Sequence, residues 1–562
     1  MNSPTAEFAS SGAGYTLPSY PFETPPELKQ PANQTQHPYP LVIVGAGLAG
    51  LTLGVDLLQR GVPVVLIDED CTVGVRGASS RGICYAQKSL EIFARLGIYE
   101  RIAAKGVQWQ VGRTLDGDAE VYRFDLRDSA ASNASVQPPF INIQQYYVEW
   151  FLVERFLELA PTVAGSSLRW HSTVAHCTQT KGCVHLEIAT PQGNYALQAA
   201  WLVDASGVNS AIRNGFGLAI NGVKGEDRWC ISDVRFKTEP AAERWTWIQA
   251  PFNEHRAVWQ HLMADGVWRL DYQMAPDTDM NEAAKENVVT ERLKRQFGDD
   301  VDFELVWVGP YGYRSQMLDS FQHGRVLFVG DVAHVMSPFG ARGGNSAIQD
   351  ADNLGWKLAA VLQGAASESL LCSYSDERVH AARENIEITR RTMRFLAPKP
   401  GAQTLLRSAV LGLAKTQPFA RSLVNTGRMS VASTYTRSPL NVGLGAGNHV
   451  QNVALTVDAN PSTLLALAAQ LSAGVLLIGF GTQAHREQAH LIATLPPALK
   501  PQYVAVGRRV VDTAGALSAQ LGGLHEGLAI VRPDLYVAGT ASWADAPAML
   551  ARFVAALEHP AC

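Results

Sequence analysis

A chain of 562 residues, 47% hydrophobic and 18% charged, can bury a large core and divide into two or three domains. Its formal net charge of -5, with no basic blocks, argues against a nucleic-acid or anionic-membrane partner. No apolar run approaches the roughly 20 residues of a bilayer span, and no charged-then-hydrophobic leader opens the chain, so a cytoplasmic protein without membrane contact is expected.

Residues 1–39 are rich in Pro, Ser, Thr and Gln and read as an extended arm, with Tyr15, Tyr20 and Phe22 as apolar points by which it can lie on the body. The apolar run Leu41 to Val44 then reads as a buried parallel strand and enters Gly45, Gly47 and Gly50 in G-x-G-x-x-G spacing. Gly45 permits the tight turn, Gly47 lets a pyrophosphate approach the backbone, and Gly50 lets the next helix lie close on the strand. That helix carries Leu48, Leu51, Val55 and Leu58 on one face and stops at Gly61. A second strand, Val64 to Ile67, ends in Asp68, with Glu69 beside it. An acid there stands at the sequence distance from which it can hold a ribose hydroxyl. A lone glycine hexapeptide is weak evidence, but strand, helix, second strand and terminal acid together predict dinucleotide binding without distinguishing NAD from FAD.

Further along, Leu90, Phe93 and Leu96 predict an amphipathic helix closed by Gly97, and another helix is expected from Tyr146 to Leu159. Residues 165–204 alternate in strand fashion and end in the apolar run Ala199 to Val203. Residues 215–310 are dense in short strand patterns and tryptophan (229, 245, 247, 259, 268, 307), the texture of a sheet over a pocket. Arg325 to Val329 reads as a buried strand, Asn345 to Leu362 as a long helix, 380–440 as helical, and 450–560 as a separate unit of alternating strands and helices.

The run RVLFVGDVAHVMSPFGARGGNSAIQDADNLGWKLAAVL from Arg325 is the most specific signal. Its strand ends at Gly330 and Asp331, an acid placed to bind a polyol hydroxyl. The chain then passes Pro338 and a glycine-rich turn into a helix whose free N–H groups, at Gly344 and Asn345, form a positive pole suited to an anion.

Together these motifs resemble the class A FAD-dependent aromatic hydroxylases of the para-hydroxybenzoate hydroxylase fold, most closely the branch of phenol hydroxylase and 3-(3-hydroxyphenyl)propionate hydroxylase. The resemblance is strong over residues 40–400 and weaker beyond. It implies an α/β fold: a Rossmann-like FAD-binding domain in two parts (40–214 and 321–400), an inserted β-sheet substrate domain (215–320), a helical linker (401–449) and a C-terminal thioredoxin-like domain (450–562). It also implies FAD as cofactor, with Gly45, Gly47, Gly50, Asp68 and Glu69 at the ADP half, Arg81 and Gln145 contacting the flavin, Gly330 and Asp331 on the ribityl chain, Pro338 between flavin and substrate, and Gly343, Gly344 and Asn345 at the pyrimidine edge. The implied reaction is hydride transfer from NAD(P)H to FAD, O2 addition to give a C4a-hydroperoxide, and hydroxylation of a small phenolic substrate, ortho to its hydroxyl. A homodimer is expected, and no metal.

One departure stands in VDASGVNSAIR, where Ser206 replaces the aspartate of the resembled family while Gly207, Ser210 and Arg213 match. Whether Asp204, two residues away, compensates is open at this point. The glycines at 443–447 lack a preceding strand and read as loop, so no second nucleotide domain is expected. For the catalytic groups, HLMADGVWRLDYQM alternates like a strand, with Trp268, Leu270 and Tyr272 on one face and Arg269 and Asp271 on the other. Tyr272, His261, Tyr311 and Tyr313 are the candidates to touch substrate, with core packing the alternative for each. A flavin-dependent halogenase is a rival reading, from RWTWIQAP at 244–251, although Gln249 and Ala250 stand where that motif has Ile and Pro. A non-catalytic flavin-binding scaffold is another. The seven cysteines (71, 84, 177, 183, 230, 372, 562) include no C-x-x-C pair, so the C-terminal domain, which reads GTQAHREQAH after its first long strand, is expected to lack redox function.

Overall fold

The computed structural model of the chain describes residues 7–10, 16–29, 38–74, 82–125, 134–424, 429–471, 474–485 and 488–559. Its first sheet has eight strands. The strand Tyr39–Val44 lies between Gly193–Asp204 and Val65–Ile67, all parallel, and Val326–Phe328 joins in parallel on the far side of Gly193–Asp204. Leu41, Val42 and Ile43 are fully buried, as an apolar strand covered on both faces must be. The helix Leu48–Gln59 packs on this sheet and against the helices Gln145–Leu159 and Arg342–Leu362. The last of these begins three residues before the expected Asn345, directly after Ala341, whose φ of 54° turns the chain sharply into the helix.

The second sheet also has eight strands, in the order His334–Val335, Phe303–Met317, Asn221–Phe236, Val267–Met274, Arg256–Leu262, Arg244–Ala250, Val111–Asp116, Ala119–Asp125. Its last two strands come from well before residue 215. The hairpin at 111–125 leaves the first nucleotide segment and pairs in parallel with Arg244–Ala250, so the sheet is not the contiguous insertion that a linear division of the chain implies. The helix Glu286–Phe297 covers its outer face.

The arm is anchored to the body where it is described. Tyr20 is buried and stacks on Trp170 with ring centroids 4.7 Å apart, and Arg169 pairs with Glu27 at 3.0 Å. The expected helical stretch 380–440 consists of Cys372–Leu396, Ala402–Ala414 and Pro418–Arg421. Residues 429–449, rich in Ser, Thr, Gly and Asn, carry no helix and close as a loop on the C-terminal unit, where Val442 N–H donates to Ala538 O at 2.8 Å.

The C-terminal unit holds a four-stranded sheet ordered Gln502–Ala505, Leu476–Phe480, Gly527–Val531, Val537–Ala541, the first pair parallel and the others antiparallel. It is fastened to the flavin-side helices by a buried ionic cluster. Arg532 donates to Glu377 at 2.6 Å, Lys357 to Glu377 at 2.7 Å and Arg532 to Asp534 at 2.5 Å, with every side chain at most 1% exposed. Among the described residues, no helix is long and apolar enough to cross a membrane.

Candidate active site

A single cavity of about 920 Å³ runs from the glycines at 45–47, past Asp331 and the start of the helix at Arg342, to the inner face of the second sheet. Its first end is built by backbone. Gly45 has φ +105°, and a Cβ there would lie 2.5 Å from Ala205 O, so only glycine fits the turn. The helix Leu48–Gln59 has no cap from Gly47, and its first N–H, at Leu48, meets the Glu149 carboxyl, so this positive pole already draws an acid towards the place where an anion would bind. Asp68 lines this end with Glu69. Its carboxylate accepts from Ala46 N–H at 2.5 Å and Asp70 N–H at 2.7 Å, so it braces the turn as well as facing the ribose position.

Gln145 and Glu149 form a unit that the sequence reading half saw. Gln145 Oε1 accepts from Gly82 N–H at 2.9 Å, while its Nε2 donates to Glu149 Oε1 at 2.7 Å and Glu149 Oε2 accepts from Gly74 N–H at 2.7 Å. Burial pushes the Glu149 carboxyl up to about 7, with Asp68 adding to the effect. Glu149 lines the cavity beside Gly47 and was missed, although it lies one helical turn after Gln145. Arg81 falls outside the described residues.

At the middle of the cavity stand Asp331, Gly343, Gly344 and Asn345, again at a helix start with no side-chain cap. The Asn345 side chain is committed elsewhere. Its Oδ1 accepts from Ala86 N–H at 2.9 Å and Ser89 Oγ at 2.6 Å, and its Nδ2 donates to Cys84 O at 2.9 Å, so the side chain ties the helix start to the strand Cys84–Ala86, and the open donors of that start are the backbone N–H groups of Gly343 and Gly344. Beneath, Asp350 accepts from Gly330 N–H at 3.0 Å, Arg378 Nε at 2.6 Å and His334 Nε2 at 2.6 Å, a buried network that fixes the Gly330 turn. The residues present therefore fit an FAD, with one helix N-terminus for its pyrophosphate and another for its ring edge. Asp204 does not stand in for the missing aspartate. It is fully buried below the turn, accepting from Ser206 Oγ at 2.6 Å, Ser206 N–H at 3.0 Å and Ser210 Oγ at 2.5 Å, and Ser206 alone of the two lines the cavity.

Strand register builds the far end. Asp233, Arg269 and His261 lie in one row across three strands, and Arg244 continues it on the fourth, because Trp245 pairs with Gln260. The next row is Ile231, Asp271, Trp259 and Thr246. Both rows face the cavity, which Pro338 also lines, and Phe339 beside it meets Trp259 edge-on at 4.9 Å. Tyr272 does not reach this space. It lies on the opposite face with Trp268 and Leu270, is fully buried, and donates its hydroxyl to Gln296 Oε1 at 2.5 Å. The predicted alternation of 261–274 is present, but the helix Glu286–Phe297 covers the tyrosine face and leaves Arg269 and Asp271 to the cavity. Tyr311 lines the cavity, and the side chain of Tyr313 lies outside the described residues.

The charges there are specific. Arg269 and Asp233 form a buried bidentate pair, both bonds 2.8 Å. Burial, aided by Arg244 and Arg269, holds the His261 imidazole well below its usual range and therefore neutral. Burial pushes Asp271 up to about 7, against the pull of Arg269.

The sequence profile described as "FAD binding domain" matches residues 39–389. The 3-(3-hydroxy-phenyl)propionate/3-hydroxycinnamic acid hydroxylase of Mycobacterium avium (strain 104) is 28% identical over 390 residues, 67% of this chain and 65% of that protein, so the chain spans just under two thirds of this relative. The 6-methylpretetramide 4-monooxygenase of Streptomyces rimosus is 28% identical over 549 residues, covering 92% of this chain and 93% of that one. The flavin-dependent monooxygenase PieE, solved with FAD and substrate, superposes with a TM-score of 0.78 at 21% identity, covering 93% of this chain and all of that one. Aklavinone-11 hydroxylase, solved with FAD and aklavinone, gives 0.73 at 20% identity over 93% of this chain and all of that one. The chain belongs to the FAD binding domain family.

Proposed function

We propose that this protein is an FAD-dependent monooxygenase that hydroxylates a phenolic ring, ortho to its hydroxyl, using NAD(P)H and O2. The observation that carries this reading is the continuity of one cavity from the nucleotide glycines, past the helix start at Gly343–Asn345, to a sheet face that ends in Asp271, His261 and Trp259. The relatives named as hydroxylases and monooxygenases support it.

Bound FAD would supply the redox chemistry, accepting hydride from NAD(P)H and activating O2. The chain's own groups do the rest. Gly45, Gly47 and the N-terminus of Leu48–Gln59 receive the pyrophosphate, Asp68 and Glu69 the ribose, and Asp331 the ribityl chain. The backbone of Gly343, Gly344 and Asn345 holds the ring edge. Trp259, Phe339 and Pro338 pack around the aromatic substrate and exclude water. Asp271 is the group that takes the phenol proton, because a carboxyl near 7 is half ionised at neutral pH, the condition for a general base there. His261, neutral beside it, orients the phenol by hydrogen bonding. The C-terminal unit is read as a thioredoxin-like domain without redox cysteines, a reading supported by its strand order and directions.

The test is NAD(P)H oxidation and oxygen consumption by the FAD-loaded enzyme against a panel of phenols, with the product identified by mass spectrometry. Chlorinated product formed with halide would point to the halogenase reading instead. No phenol-dependent turnover would leave only flavin binding.

A further inference from the structure

The formal net charge of -5 is unevenly spread, for residues 388–457 hold nine Lys or Arg and no Asp or Glu. Within that stretch the helix Ala402–Ala414 is apolar on both sides. Inward, Leu411 and Ala414 are buried in one cluster with Trp259 and Phe339 of the cavity wall. Outward, Ala402, Leu405, Leu406, Ala409, Gly412 and Leu413 recur at helical spacing and are all exposed, with Ser408 at the edge of the stripe. The short helix Pro418–Arg421 is tied to the end of the longer one, where Arg421 Nε donates to Ala414 O at 3.1 Å, and it adds Phe419, with Leu423 just beyond. Leu405, Leu406, Leu413, Phe419 and Leu423 are between 46% and 72% exposed. Single surface leucines are ordinary, but a helix that is apolar all round is stable with both sides covered, and a contiguous apolar face marks a contact with something else.

The charges say what that something is. Lys399 precedes the helix, Lys415 caps its end and Arg421 stands on the short helix. All three are exposed and, among the described residues, in no ion pair. Arg407 turns inward instead, donating to Leu396 O at 3.0 Å. A second copy of the chain docked face to face would set these cations against their own images. An anionic bilayer surface satisfies both features at once, its acyl boundary taking the leucines and the phenylalanine while its phosphates meet the cations. We propose that the outward face of Ala402–Ala414 and Pro418–Arg421 docks the protein on an anionic lipid bilayer. The contact is peripheral. The other side of the same helices rests on Trp259 and Phe339, so the docked face lies directly behind the aromatic wall of the cavity.

The experiment uses the full-length, FAD-loaded protein and two vesicle preparations, phosphatidylcholine alone and phosphatidylcholine with phosphatidylglycerol, with bound protein measured by co-sedimentation. Wild type should prefer the anionic vesicles by on the order of a hundredfold, the combined pull of three cations. Raising salt from about 0.1 M to about 1 M, which shortens the screening length from roughly 10 Å to roughly 3 Å, should remove most of that preference. Leu405→Ser combined with Leu406→Ser should weaken binding at least about tenfold while FAD content and melting temperature stay at the wild-type level, because both side chains are exposed. Lys399→Gln combined with Lys415→Gln should lose most of the preference for anionic vesicles. Absence of binding to either preparation overturns the proposal, as does equal binding to both. So does a Leu405→Ser, Leu406→Ser variant that binds as wild type does. Lipid-free self-association seen by sedimentation velocity and abolished by the same two leucine changes would assign the face to a second copy and overturn it too. The wild-type comparison decides the matter even where a variant fails to fold.

Discussion

His261 Nε2 stands 3.7 Å from Asp271 Oδ2 across two neighbouring strands, too far for a direct hydrogen bond and close enough for both to reach one substrate oxygen. The imidazole is neutral and the carboxyl sits near 7, so only Asp271 changes charge in the working pH range. The groups around it are Arg269 on its own strand, paired to Asp233, and His261 and Arg244 on the strands beyond. With Asp271 as the proposed base, kcat/KM for a phenol should rise with pH through about 7 and level off above it. Asp271→Asn should lower kcat by roughly 10²- to 10⁴-fold and flatten that rise. A pH profile of the variant that still rises through 7 would assign the proton to another group.

Tyr272 supplies the contrasting case. Its hydroxyl is spent on Gln296 on the side of the sheet away from the cavity. Tyr272→Phe should leave kcat and KM for the phenol within about twofold while lowering stability by about 1 kcal/mol, the usual worth of one buried hydrogen bond. Thermal unfolding beside steady-state kinetics measures both, and a selective loss of turnover would return Tyr272 to the site.

Glu149 should couple FAD binding to pH. Its carboxyl is protonated in both folded and unfolded chains below about 4.5. Between 4.5 and about 7 the unfolded chain ionises it and the folded one resists, so the apoprotein should lose stability as pH rises across that window. Beside Gly47 it also faces the pyrophosphate position, where two anions repel. FAD should therefore bind less tightly as pH rises from 6 to 8.5, and Glu149→Gln should remove most of that dependence. Flavin fluorescence titrations across the range give the answer, and a dependence equal in wild type and variant would count against Glu149.

Asp204 already accepts from two hydroxyls and a backbone N–H under the Ser206 turn. Ser206→Asp would set a second carboxylate against it. The expected outcome is a lower melting temperature, with Ser206→Ala milder because it removes one donor without adding charge. Equal melting temperatures for wild type and Ser206→Asp would show that the new carboxylate turns away into the cavity.

What the sequence made legible is local. Strand, glycine turn, helix and acid from Leu41 to Asp68 follow one another along the chain, and Asp68 closes the unit on Ala46 N–H within that stretch. The alternation at 261–274 was equally readable, but the inward face depends on where the helix Glu286–Phe297 packs, and that is set by contacts distant in sequence. For the same reason Asp271 and Arg244 went unseen as site residues while Tyr272 was favoured. Asp204 was ambiguous because its hydroxyl partners are fixed only when the turn closes over it. The hairpin at 111–125 joined the second sheet because it pairs with residues more than a hundred positions away.

The most direct test of the account is oxygen incorporation. The purified, FAD-loaded protein is given NAD(P)H, a phenol and ¹⁸O-labelled O2, and both nicotinamide oxidation and product mass are followed. The account predicts that the phenol accelerates NAD(P)H oxidation and that the product gains a single labelled oxygen on the ring. Oxidation that ignores the aromatic compound, or a product without the label, would contradict it.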